Sequence, residues 1–258
     1  MTERNIVYES PKNIKNLARQ TLEGRWREAL VVMLFTVFLT DLPSLVLGLF
    51  DYGSFWVYML DAYAIFIKAP IQLGLAMYFL KVFRGEPGGT RDIKNAFYCF
   101  PNALSLYLSV WLRTTLGFFF FIVPGVMAMF KYSQSFFVLA ENPEKHYRQC
   151  MYESQMMMQG NKMGLFRLML SMLPLLIVFK LPSTIVDYLS NPGNLEVYQI
   201  ALSTGNQSYL SNLTYNNTYL VYVISLISIF YSVYLWNAQA CFYDLMTGNL
   251  VVTDNEQI

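Results

Sequence analysis

Residues 163–180 read MGLFRLMLSMLPLLIVFK, an apolar run that ends on Lys180, the last basic residue of the chain. All 18 lysines and arginines fall at or before that position, and residues 181–258 hold none. A run of roughly 20 apolar residues matches the ~30 Å hydrocarbon core of a bilayer. Basic residues mark the loops that remain in the cytoplasm. Outward from this run the same pattern repeats, which predicts a polytopic membrane protein. Composition agrees: of 258 residues 55% are hydrophobic and only 14% charged, where a soluble domain carries about 25%. The net charge is +1 with no basic block, which excludes nucleic acid as an expected partner.

The predicted fold is all-α: a six-transmembrane-helix bundle, with amphipathic interfacial helices on the cytoplasmic side, forming one integral membrane domain over residues 1–258. Residues 1–28 form a cytoplasmic amphipathic lead, 29–180 hold spans one to five, and 181–218 form an external loop. Span six covers 219–246 and a cytoplasmic tail covers 247–258. Both termini are expected inside, and the first span reads as an uncleaved anchor, because a long polar lead precedes it.

Local signals set the boundaries. Ser10-Pro11 reads as an N-cap and first turn for a helix whose Ile14, Leu17, Ala18 and Leu22 share one face. Such a helix is expected in the headgroup plane, basic face outward. Thr90 is expected to cap a short helix before span three (Asn102–Val123), Pro124-Gly125 to make the outer turn, and span four to run over Val126–Ala140. Asn142-Pro143-Glu144 is expected to open a second amphipathic helix, ahead of a Gly160-Asn161-Lys162 break and span five (Met163–Val178). Three hairpins with similar returning ends (Tyr78-Phe79-Leu80, Phe137-Val138-Leu139, Phe242-Tyr243-Asp244-Leu245) point to an internal repeat, as do the junctions Leu22-Glu23-Gly24-Arg25 and Met158-Gln159-Gly160-Asn161.

A charge inside the hydrocarbon costs about 2.5–3.5 kcal/mol on insertion scales and calls for a partner or a wet cavity. Asp41, Lys68, Arg113 and Lys131 fall nearest mid-span, with Asp61 closer to the outer surface. Lys68 shares a helical face with Gln72 and with Asp61. Two readings stay open: a polar cavity for an anion or lipid headgroup, or buried ion pairs with one lysine snorkelling outward. Met151, Met156 and Met158 are candidates either for docking a partner or for dipping into lipid.

Catalytic and metal-binding patterns are absent from the sequence, and no cofactor is expected. The single histidine, His146, has no ligand cluster around it, and the three cysteines, Cys99, Cys150 and Cys241, lack metal spacing. Tyr243-Asp244 is a faint echo of intramembrane aspartyl proteases without the second aspartate motif. The chain is therefore expected not to be an enzyme.

The block Phe121-Ile122-Val123-Pro124-Gly125-Val126, Tyr132, Phe137 to Pro143, then Ser154, Met158-Gln159-Gly160-Asn161-Lys162 and Leu165-Phe166-Arg167-Leu168 resembles the bacterial, chiefly Gram-positive, integral membrane family catalogued as domain of unknown function 975. Leu22 to Trp26 and Ala240 to Tyr243 resemble further family positions. Two places depart from the pattern: Met163 stands where an aromatic residue is usual, and the long external loop shows no recognisable family pattern. A more distant resemblance is to the membrane domain of some glycerophosphodiester phosphodiesterases. The resemblance implies fold, topology and a place in the plasma membrane of a bacterium, and no activity. The expected function is non-enzymatic handling or transport of a small anionic or lipid-like ligand in contact with the lipid bilayer. The alternative is an accessory or immunity-type protein that grips another membrane protein, or itself.

Overall fold

The computed structural model describes residues 6–47, 54–190, 194–204 and 228–249. All regular structure among them is helical: α1 (Pro11–Leu22), α2 (Trp26–Leu47), α3 (Ser54–Phe83), α4 (Thr90–Ala96), a 3-10 turn (Phe97–Cys99), α5 (Phe100–Phe120), α6 (Ile122–Tyr132), α7 (Ser135–Glu141), α8 (Tyr147–Met157), α9 (Lys162–Ser190), α10 (Asn194–Thr204) and α11 (Ser228–Thr247). The chain divides into two compact units, residues 1–171 with 233–258, and residues 172–232. The second unit holds the later part of α9, α10 and the first residues of α11.

Among the described residues, three stretches are by length and composition able to cross a membrane, Ala62–Phe83, Thr90–Phe120 and Ile122–Glu141. A fourth is added if α8 and Lys162–Val178, which meet at a bend of 86°, count as one. The predicted spans one and six and the external loop lie partly outside the described residues. Where the loop is described it is helical: α9 continues past Lys180 and Pro182 to Ser190, and α10 follows.

Helix α1 forms as its sequence directs, with Pro11 in the first turn and the Ser10 hydroxyl accepting from the Asn13 N–H at 3.2 Å. Its apolar face is not left to lipid. Ile14, Ala18 and Leu22 are buried, and α11 fastens the helix: the Tyr234 O–H donates to the Lys15 carbonyl (2.8 Å), and the Asn237 amide to the Ala18 carbonyl (2.7 Å). After Gly24, whose φ of 78° suits glycine, Arg25 reaches the end of α3. Its guanidinium donates to the carbonyls of Gly85 (2.9 Å) and Glu86 (3.1 Å), where the helix dipole favours a cation. The second junction glycine, Gly160, also takes a positive φ, 91°, so the two junctions that rhyme in sequence share a backbone conformation.

Several boundaries differ from the sequence reading. The Asp92 carboxylate, not Thr90, caps α4 by accepting from the Gly89 N–H (2.9 Å). The turn of the α5–α6 hairpin falls at Phe121, extended at φ −161° and ψ 156°, and Pro124 sits inside the first turn of α6. Asn142 starts no helix. Instead Asn102 of α5 accepts from the Tyr147 N–H (2.9 Å) and donates to the Lys145 carbonyl, which fixes the entry to α8 five residues later. His146 is the N-cap, its Nδ1 accepting from Arg148 N–H at 3.4 Å.

The three returning ends converge. Phe137 stacks on Tyr243 with ring centroids 5.6 Å apart, and Trp236 lies against both Phe79 (6.3 Å) and Phe137 (5.9 Å). Tyr78, Phe79, Phe137, Phe242 and Tyr243 are all buried. The repeated aromatic pattern thus forms one core at which α3, α7 and α11 end.

Candidate functional site

An ion cluster closes that core. Arg84, just past α3, meets the ends of α7 and α11. Its Nε donates to Asp244 Oδ2 (3.0 Å), and its Nη2 to Asp244 Oδ1 (2.7 Å) and Glu141 Oε1 (2.8 Å). The Tyr243 O–H donates to the other Glu141 oxygen at 2.7 Å. The Asp244 side chain is only 2% exposed, so it is affordable as a charge only because the fork of Arg84 satisfies it on both oxygens. The hydrogen bond that Arg84 donates to Asp244, ahead of the one it donates to Glu141, raises its pKa above the ordinary value. A second pair, Lys81 with Asp92 (2.6 Å), fixes α4 to α3. These ion pairs tie the ends of α3, α4, α7 and α11 together.

A different arrangement lies between α5, α6, α8 and the first turn of α9. A groove of about 520 Å³ is lined by Arg113, Lys131 and Lys162, with Tyr132, Gln155 and Gln159 as its other polar groups. Its remaining wall is apolar: Leu116, Pro124, Met127 and Ala128. Arg113 and Lys131 both lie over the Tyr132 ring, at 5.8 and 5.2 Å from its centroid, which draws two cations to one point. Among the described residues no carboxylate pairs with any of the three cations. One Arg113 nitrogen touches the Met151 sulfur at 2.8 Å, a weak acceptor that leaves the other guanidinium donors for a ligand.

The helix that carries Lys131 is broken just beyond the groove. Helix α6 ends at Tyr132 and α7 begins at Ser135. The Ser154 hydroxyl of α8 bridges the gap, donating to the Lys131 carbonyl (3.0 Å) and accepting from the Gln134 N–H (3.3 Å). A broken apolar helix whose freed backbone groups are met by a neighbouring helix is tolerated at a lined cavity. Gly117 and Gly125 let α5 and α6 approach closely; a Cβ on Gly117 would stand 2.9 Å from the Gly125 Cα.

Of the charges singled out from sequence, the fold brings Arg113 and Lys131 together. Lys68 is exposed and Gln72 half-buried, and neither lines the groove. The side chains of Asp41 and Asp61 lie outside the described residues, though both positions are helical. Met151 and Met158 are buried and Met156 is half-buried, so the oily side of α8 packs on α5, α6 and α7. Cys99 is half-exposed, and Cys150 and Cys241 are buried free thiols. Sequence reasoning missed Lys162, Tyr132 and the Arg84–Glu141–Asp244 cluster. Lys162 and Tyr132 were visible only as parts of a family pattern, and Arg84 and Asp244 are 160 positions apart.

No curated protein and no solved structure matches this chain. The sequence model of the family described as a protein of unknown function (DUF975) matches residues 108–250. That stretch takes in the whole groove, Ser154 at the helix break, and Glu141 and Asp244 of the cluster. It is more than half of the sequence, and the chain belongs to the DUF975 family.

Proposed function

We propose that this protein is a non-enzymatic component of the bacterial plasma membrane that binds a small anionic or lipid-like ligand in the groove between α5, α6, α8 and α9. The observation that carries the reading is three cations on one cavity with no described carboxylate to neutralise them. Like charges gathered in this way repel, at a cost to the folded state that an anion between them removes. Structural ion pairs look different, as Arg84 with Asp244 illustrates. Asp244, the residue a hydrolase reading would need, is engaged on both oxygens by Arg84, which favours a structural role for it.

The topology that goes with this reading has six spans and both termini in the cytoplasm. The absence of lysine and arginine from residues 181–218 supports an external placement of that loop. The partner-gripping alternative gains nothing from the methionines, because Met151 and Met158 face inward.

The test is equilibrium binding of short-chain phosphatidic acid to the purified protein in a neutral detergent. Arg113→Gln, Lys131→Gln and Lys162→Gln are each expected to weaken binding about tenfold or more, the loss of one charge-assisted hydrogen bond. Lys68→Gln is expected to leave it unchanged. Equal affinity in all four variants would remove the groove from consideration.

A further inference from the structure

We infer that the groove takes an anionic lipid carrying a phosphate headgroup, with the phosphate at Arg113, Lys131 and Lys162 and an acyl chain along the α5–α6 hairpin. This rests on the anion-binding reading and goes further by naming the ligand's second half. The site is two-sided. Its polar end holds the three cations and the Gln155 and Gln159 amides, and its other wall is Leu116, Pro124, Met127 and Ala128. A free inorganic anion has no use for the second wall.

That wall also does not stop at the groove. Leu116 is 48% exposed and Met127 53% exposed, and the surface continues over Phe118 to Val123 at the hairpin turn, every one of them exposed. From Arg113 to the end of α5 at Phe120 is seven helical steps, about 10 Å at 1.5 Å each. No charged residue lies between Arg113 and Lys131 along the whole hairpin. A chain leaving the phosphate therefore meets continuous apolar surface. The volume, about 520 Å³, is within the ~300–1,000 Å³ of ordinary ligand sites. Charge decides the headgroup class. Three cations with no described counter-charge suit a phosphate of charge about −1 to −2, and a zwitterionic headgroup would bring its own cation into the same groove.

The experiment uses the full chain in nanodiscs of phosphatidylcholine. Phosphatidic acid or phosphatidylglycerol is added, and bound lipid is counted by native mass spectrometry, with inorganic phosphate as competitor. The expected result is selective retention of the anionic lipids and no displacement by millimolar phosphate. Gln159→Glu, which sets a carboxylate into the groove at an exposed position, is expected to cut retention at least ~10-fold with the thermal midpoint unchanged or raised, since the new carboxylate relieves repulsion among the cations. Leu116→Ser is expected to weaken the lipid while sparing short-chain headgroup analogues. Displacement by inorganic phosphate at concentrations comparable to the lipid would overturn the lipid assignment and leave the anion reading standing. If neither lipid nor phosphate binds, or if Gln159→Glu retains lipid like the parent, both readings fall.

Discussion

The Ser154 hydroxyl donates to the Lys131 carbonyl at 3.0 Å, and by accepting the Gln134 N–H it closes the break between α6 and α7. Ser154 is buried, so no water stands ready to replace it. Ser154→Ala leaves a backbone donor and acceptor unmet at a cost of about 1–3 kcal/mol. The expected outcome is a lower unfolding midpoint in detergent together with weaker anion binding, since Lys131 is no longer held in place. An unchanged midpoint would mean the break is supported elsewhere.

Arg84 and Asp244 predict a larger effect. Arg84→Ala strands a carboxylate whose side chain is 2% exposed, a change that typically costs about 3–5 kcal/mol. Replacing both partners, Arg84→Met with Asp244→Leu, is expected to cost less than the single change, because no charge is then left buried. Arg84→Lys falls between them, since lysine lacks the planar fork that meets both oxygens. Trp236 lies on the aromatic core beneath the cluster, so in a background with the other three tryptophans replaced by phenylalanine its fluorescence reports the unfolding midpoints.

Gly125→Ala tests the close approach of α5 and α6. The new Cβ would meet the Phe118 ring at 2.4 Å, so the ring must swing away or the hairpin open, at a cost of about 1–3 kcal/mol. Gly89→Ala is the control: it has open space around it and its extended φ of 178° suits any residue.

Much of this was legible in the sequence where the signal is local. The Ser10-Pro11 start of α1 follows from capping chemistry within four residues. The similar aromatic endings were visible in the sequence, and Arg113 and Lys131 stood out because a charge in an apolar run calls for a reason. What stayed hidden depends on distant partners. The turn at Phe121 and the break after Tyr132 interrupt runs whose composition gives no warning. Asn142 has the chemistry of a cap, but Asn102, forty positions earlier, takes the Tyr147 N–H and moves the helix start. Arg84 reads as a loop residue until Asp244 arrives beside it, and the α1 face reads as lipid-facing until α11 covers it.

The six-span reading makes its own prediction at the hairpin turn. In right-side-out membranes Val123→Cys, in a background lacking the three native cysteines, is expected to react with a membrane-impermeant maleimide added from outside. Protection from both sides would place the Phe118–Val123 turn within the bilayer and reduce the number of crossings.

The most direct measurement is mass spectrometry of the protein taken from its own membrane in lipid discs, beside the triple variant Arg113→Gln, Lys131→Gln, Lys162→Gln. The parent is expected to keep a stoichiometric anionic, phosphate-bearing ligand, and the triple variant to lose it while remaining folded by its thermal midpoint. A parent that carries no such ligand, or a folded triple variant that carries it equally well, would contradict the anion-binding reading.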